Sequence, residues 1–227
     1  MDQNSTRTFR SRKARAILAG GLVLGVGAVF TLAAWTDNEW VFGQNDNGTA
    51  GPGTQVYHME QNTWTGASGA AAWSSQGSKN GGALTFTVNA NQLVPGAVVY
   101  APMELRAAAG SQALTALLAE GVQAIPTAEP TNSPSLYAAL TYSVKSGVTK
   151  AQCNAAGFAA AGTTLVAAGQ PLTATSSTPI SLPAGASGAA GTPVDICFAL
   201  SLPSTTDTTL QGKETTPLWR FTSTVGS

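Results

Sequence analysis

Apolar and polar residues alternate in several short runs of this chain, most cleanly in VDICFALSLP, residues 194–203. Successive side chains of a strand point to opposite faces, so Val194, Ile196, Phe198, Leu200 and Leu202 share one side of an extended backbone. SLYAALTYSVKSG (135–147) reads the same way, with Leu136, Ala138, Leu140, Tyr142 and Val144 inward. PLWRFTSTV (217–225) sets Trp219, Phe221 and Val225 on one face, and LTFTV (84–88) alternates Leu84, Phe86 and Val88 with threonines. Each run predicts a strand with one buried and one polar face.

Turn chemistry separates these runs. In NQLVPGAVVYAPMELRAAAGS (91–111), Pro95-Gly96 suits a type II turn, and Val99, Ala101, Met103 and Leu105 then share a face. Pro102 has no N–H for a ladder, which places this strand at an edge or a bulge. ALTALLAEG spaces Leu114, Leu117 and Leu118 like one helical face but is short, so its state stays open. TQVYHMEQ (54–61) alternates weakly, and residues 163–193 are punctuated by Gly, Ser, Thr and Pro, as short strands and long loops require. With no sustained helix and no repeat of fixed period, residues 54–227 are expected to form one all-β sandwich.

The first 53 residues differ in kind. Arg7, Arg10, Arg12, Lys13 and Arg15 lie in a basic region (1–15), followed by AILAGGLVLGVGAVFTLAAW, an uncharged run that opens an apolar helix over 16–34. A basic cluster before such a run is the pattern of an export signal. The run is also long enough to span a bilayer, so a retained anchor is the alternative, and the only membrane association expected is through this uncleaved segment. Its glycines and the Ala33-Ala34 pair favour cleavage between Ala34 and Trp35, although Leu32 is bulkier than an ordinary signal peptidase prefers three places before the cut. Residues 35–53 then form an arm and linker, with Trp40, Val41 and Phe42 apolar and QNDNGTAGPG (44–53) rich in turn formers.

Charge narrows the function classes. After Ala34 there are six basic residues against ten acidic ones, which leaves no basic stripe to neutralise phosphates and argues against nucleic acid as a partner. His58 is the only histidine, and no G-x-S-x-G elbow, H-E-x-x-H or paired-cysteine spacing occurs, so no catalytic residue, metal ligand set or cofactor is expected. His58 and Glu60 would share a strand face and read as a solvated pair. Cys153 and Cys197 are the only cysteines, an even number in a chain that carries an export signal, and a disulfide between them is expected. Alternation turns Cys197 away from the large apolar face, toward a loop around Cys153 that would cover the sheet.

LAGGLVLGVGAVFTLAAWTDNEWVFG resembles the signal segments of the TasA and camelysin family, which end in Ala-Ala before an aromatic and are cut by a SipW-type signal peptidase. LVPG with the following strand and AAAGS, and VDICFALSLPSTTDTTLQGKETTPLWRFTSTV, resemble blocks of the same family, so that about half the chain is covered. Ala97 and Ala109 depart from it, standing where relatives carry an acidic residue and an asparagine. The resemblance implies a jelly-roll topology and a secreted, envelope or matrix protein whose partners are the signal peptidase and further subunits or envelope proteins. It also implies that the arm bearing Trp40, Val41 and Phe42 passes to a neighbouring subunit's open edge, where the arm's own sheet is the other possible site. The expected function is a non-enzymatic fibre or surface-layer subunit; a metallopeptidase, as the name camelysin implies, and a monomeric secreted binding module are the alternatives.

Overall fold

The computed structural model describes residues 56–78, 81–86 and 90–225. The chain divides between Gly53 and Thr54 into two units, and everything described belongs to the second. The signal segment, the cut at Ala33, Ala34 and Trp35, the arm residues Trp40, Val41 and Phe42, and Val88 lie outside the described residues.

Among the described residues nine strands follow one another: β1 (Met59–Asn62), β2 (Trp73–Ser74), β3 (Val98–Ala107), β4 (Leu114–Gln123), β5 (Thr141–Ser146), β6 (Thr163–Pro171), β7 (Ile180–Leu182), β8 (Val194–Ser201) and β9 (Pro217–Val225). They build a six-stranded sheet in the order β2-β1-β3-β8-β5-β6 and a three-stranded sheet in the order β7-β4-β9. All pairings are antiparallel. Among the described residues there are also two α-helices, α1 (Pro134–Ala139) and α2 (Ala155–Ala160).

The all-β jelly-roll expectation is overturned: the fold mixes helices with two sheets, and both sheets are open, ending on β2 and β6 in one and on β7 and β9 in the other. The helix α1 occupies the first half of the run read as one strand over 135–147. Leu136, Ala138 and Leu140 satisfy a period of two, but alanine favours a helix, and Ser133-Pro134 supplies a cap and a first helical residue. Ser133 Oγ accepts from the Leu136 N–H at 3.1 Å, and the strand starts only after Leu140. At α2 the cap is Asn154, whose Oδ1 accepts from the Gly157 N–H at 3.0 Å.

β3 follows its pattern, β8 is buried on both faces from Ile196 to Leu200, and β9 turns Trp219 and Phe221 to the core but leaves Val225 exposed. Val99, Ala101, Met103 and Leu105 of β3 and Ile196, Phe198 and Leu200 of β8 are buried in one core between the sheets. Gly96 has φ +87° and Ala97 N–H donates to Val94 C=O at 2.9 Å, as the Pro-Gly turn demands. Pro102 is in an inner strand, but β1 pairs only with residues 104–107, so this half of β3 is paired by β8 alone. The open case at 114–118 is a strand: Leu114, Ala116 and Leu118 are buried with period two. Past Leu118 the pairing with β9 skips a residue, a β-bulge at Ala119, and the buried position becomes Gly121. A Cβ on Gly121 would collide with the Leu172 carbonyl, so only glycine fits.

A smaller cluster covers the other face of the large sheet. Cys197, Val148 and Cys153 are buried there, with Tyr100, Phe158 and Ala161 packed against them. Cys153 and Cys197 form a disulfide with their Cα atoms 5.5 Å apart. Lys145 Nζ donates to the Phe158 carbonyl at 2.6 Å and the Ala161 carbonyl at 3.3 Å, which satisfies groups that the end of α2 leaves unpaired.

Candidate functional site

The sheets do not close on the side where β9 ends the small sheet and β1 and β2 end the large one. A groove of about 790 Å³ runs there, floored by Met103, Leu105, Phe198, Trp219 and Phe221. Aromatic rings tie the two sheets at its base. Trp219 and Phe221 of β9 lie 5.0 and 6.4 Å from Phe198 of β8, and Tyr142 of β5 stacks 5.5 Å from Trp219.

β9 is one wall. It pairs with β4 over its whole length, and its other edge, with its row of backbone donors and acceptors, bonds to no described residue. Arg220 Nε donates to Glu120 Oε2 at 2.7 Å across the strands at the rim, an exposed pair that orients side chains more than it stabilises.

β1 and β2 form the opposite wall and are pinned by two polar contacts. Arg106 of β3 donates through Nε and a terminal nitrogen to Glu60 Oε2, at 3.0 and 2.8 Å, and its guanidinium lies 3.9 Å from the Trp73 ring centre. Asn62, wholly buried, donates to Glu104 Oε2 at 2.6 Å while its Oδ1 accepts from the Trp64 and Ala72 N–H groups at 2.9 and 3.0 Å. One amide thus fixes the carboxylate beside it and both ends of the turn from β1 to β2.

Residues 81–86 line the groove between these walls. Gly82, Leu84 and Phe86 face inward and Ala83 and Thr85 outward, so the segment has the burial rhythm of a strand, yet the backbone of residues 82–86 has no hydrogen bond to any described residue. Side chains hold it: Leu84 and Phe86 pack on the core, with Phe86 6.4 Å from Trp219. At Gly82 it passes so near β1 that a Cβ would strike the Gln61 amide. The LTFTV reading is therefore right in its alternation over 84–86 and wrong in its pairing.

Two polar atoms of the groove lining are buried without a partner, Gln61 Nε2 and Trp219 Nε1. The indole N–H approaches the Tyr142 hydroxyl without reaching hydrogen-bond geometry, and that hydroxyl donates to the Ala174 carbonyl at 2.5 Å. Burial first, then the neighbouring Tyr137, push Tyr142 up to about 12, which keeps the phenol neutral in the core. Buried donors without acceptors are rare in folded proteins, and these two favour an occupant that brings acceptors.

Of the residues singled out by sequence, Cys153 and Cys197 come together as expected. His58 and Glu60 do not form a pair: Glu60 is committed to Arg106, while the His58 side chain is exposed and its backbone N–H donates to Ser111 Oγ at 3.0 Å. Among the described residues no group of three or more His, Cys, Asp or Glu is placed to hold a metal ion. Sequence reading missed Gln61, Asn62 and Gly82. Asn62 had one visible signal, a polar residue ending a strand just before a turn, whereas nothing local marks Gln61.

Compared with known proteins, the chain stands apart: no family model, no curated protein and no solved structure matches it.

Proposed function

We propose that this protein is an exported structural subunit of the cell envelope or extracellular matrix, and that copies join when the arm of one, residues 35–44, adds as a strand to β9 of the next. The observation that carries the reading is the edge of β9, unpaired among the described residues, beside a groove with an apolar floor. An exposed strand edge is a template for a further strand: ladder bonds supply affinity, and alternate side chains fill pockets. Trp40 and Phe42 are spaced two apart, so both would enter the groove from one extended segment, and residues 44–53, rich in Gly, Asn and Pro, give the length of chain that links it to the body. A disulfide is suited to a protein that works outside the cell.

The test is sedimentation velocity with negative-stain microscopy on the exported protein, beside a variant lacking residues 35–44. Polymers from the first and folded monomers from the second are the expected result. A full-length protein that stays monomeric at high concentration overturns the proposal. A deletion that polymerises equally well moves the contact away from the arm.

A further inference from the structure

We infer that residues 81–86 are a latch: they lie along the groove in the isolated subunit, are held there by side chains with no backbone bond from residues 82–86 to a described residue, and must move before a strand can add to β9. The inference rests on the assembly reading above and specifies what regulates it. Three observations meet in one place. The backbone of residues 82–86 bonds to no described residue although Gly82, Leu84 and Phe86 point inward like a strand. The edge of β9 next to them is likewise unpaired among the described residues. The groove lining between them buries Gln61 Nε2 without an acceptor, a donor that the latch leaves unsatisfied and that a carbonyl of an incoming strand would suit.

These features make the latch a weak competitor by construction. It covers part of the groove, with Phe86 6.4 Å from the Trp219 indole, so the subunit exposes less of that apolar surface before it meets a partner. It forms none of the ladder bonds available on β9, so a segment offering both alternating apolar side chains and ladder bonds displaces it. The protein is thereby guarded against random edge pairing yet open to the matching strand. An occupied groove lowers apparent affinity by the fraction of time it stands open.

The experiment uses the full exported chain and a synthetic peptide of residues 35–44, WTDNEWVFGQ, with a scrambled peptide as control. Leu84→Ser with Phe86→Ser removes both large anchors of the latch. Phe158→Ala removes a comparable ring from the opposite face of the large sheet and controls for general loosening. Binding is read by peptide fluorescence anisotropy, and its site by amide hydrogen exchange over residues 217–225.

The latch variant should bind the peptide about tenfold more tightly than the parent, with new protection in β9, and Phe158→Ala should not. Equal or weaker binding by a latch variant that keeps its circular dichroism spectrum and near-native melting overturns the latch. A second measurement covers a variant that fails to fold. In the parent chain saturated with peptide, a thiol at Phe86→Cys should react with maleimide at least several-fold faster than without peptide, and an unchanged rate also overturns it. Failure of the parent to polymerise, with peptide binding still enhanced by latch removal, defeats the assembly reading and leaves the latch standing.

Discussion

The ring of Phe198 lies 5.0 Å from the indole of Trp219, and through this contact the six-stranded sheet grips the three-stranded one. Phe198 is 1% exposed and also touches Tyr142 and Phe221. Phe198→Ala should destabilise by about 3–5 kcal/mol, because the lost transfer energy is joined by a cavity its neighbours only partly fill. A double-mutant cycle with Trp219→Leu in urea should show coupling of roughly 0.5–1.5 kcal/mol. Additivity of the two changes would mean the rings are neighbours without mutual stabilisation.

The disulfide closes a loop across 44 positions, and both cysteines are buried. Chain-entropy reasoning puts the stabilisation near roughly 4 kcal/mol, so the double variant Cys153→Ser, Cys197→Ser should melt many degrees lower. The native protein should yield no thiol to Ellman's reagent even with mild reductant present, since the reductant cannot reach either sulfur before the covering loop opens. Rapid reduction of fully folded protein would contradict the burial.

Glu129 accepts from Ser133 Oγ at 2.7 Å and Ser135 Oγ at 2.8 Å, and pairs with Lys213 at 3.1 Å. The Ser133 hydroxyl, then Ser135 and Lys213, hold its carboxyl down to about 2 from an ordinary 4.5, against a smaller desolvation effect. A depressed folded-state value means stability that is present above 4.5 and lost as pH falls through about 2. The melting temperature of the parent should therefore decline across that window more steeply than that of Glu129→Gln. Parallel curves would show that the carboxylate is as well solvated unfolded as folded.

Asn62 offers a test whose sign depends on pH. In Asn62→Asp both acceptor bonds to the turn survive, but the donor facing Glu104 at 2.6 Å becomes a second carboxylate oxygen. Two adjacent carboxylates cannot both ionise cheaply, so one folded-state pKa rises and the lost stability returns on acidification. Urea midpoints measured from about pH 7 down to about pH 5 should rise for the variant relative to the parent. A constant gap between the two proteins would show that the turn, rather than the Glu104 contact, is what the substitution disturbs.

What the sequence disclosed depended on side-chain size. Where large residues alternate and the other face stays partly open, as in β3, burial follows one face and the pattern is decisive, whereas in β8 the disulfide cluster buries the second face as well. Where alanine fills the alternate places it is not: Ala138 and Ala139 suit helix or strand, and the Ser133 cap that settled the matter lies outside the alternating run. The number of strands in each sheet was hidden because pairing is decided by residues far apart, such as Glu60 with Arg106. The groove was illegible for the same reason. Its floor could be guessed from Phe198, Trp219 and Phe221, but nothing near residues 81–86 tells that an alternating segment will find no ladder.

The bulge at Ala119 sets a limit on how this gene can change. Before it, the inward positions of β4 are even-numbered; after it, the register restarts so that Gly121 opposes Trp219 and Glu120 opposes Arg220. Losing the single codon for Ala119 would remove the bulge and straighten the strand, yet it would leave Glu120 opposite Arg220 and Gly121 opposite Trp219, because the pairing already skips Ala119, and Gly121 would keep the position of β4 where a Cβ would strike the Leu172 carbonyl. Strand β4 should therefore accept that one deletion and reject a second, which no bulge would remain to absorb and which would turn the residues after it to the opposite face, a reading-frame constraint written in geometry and not in nucleotides.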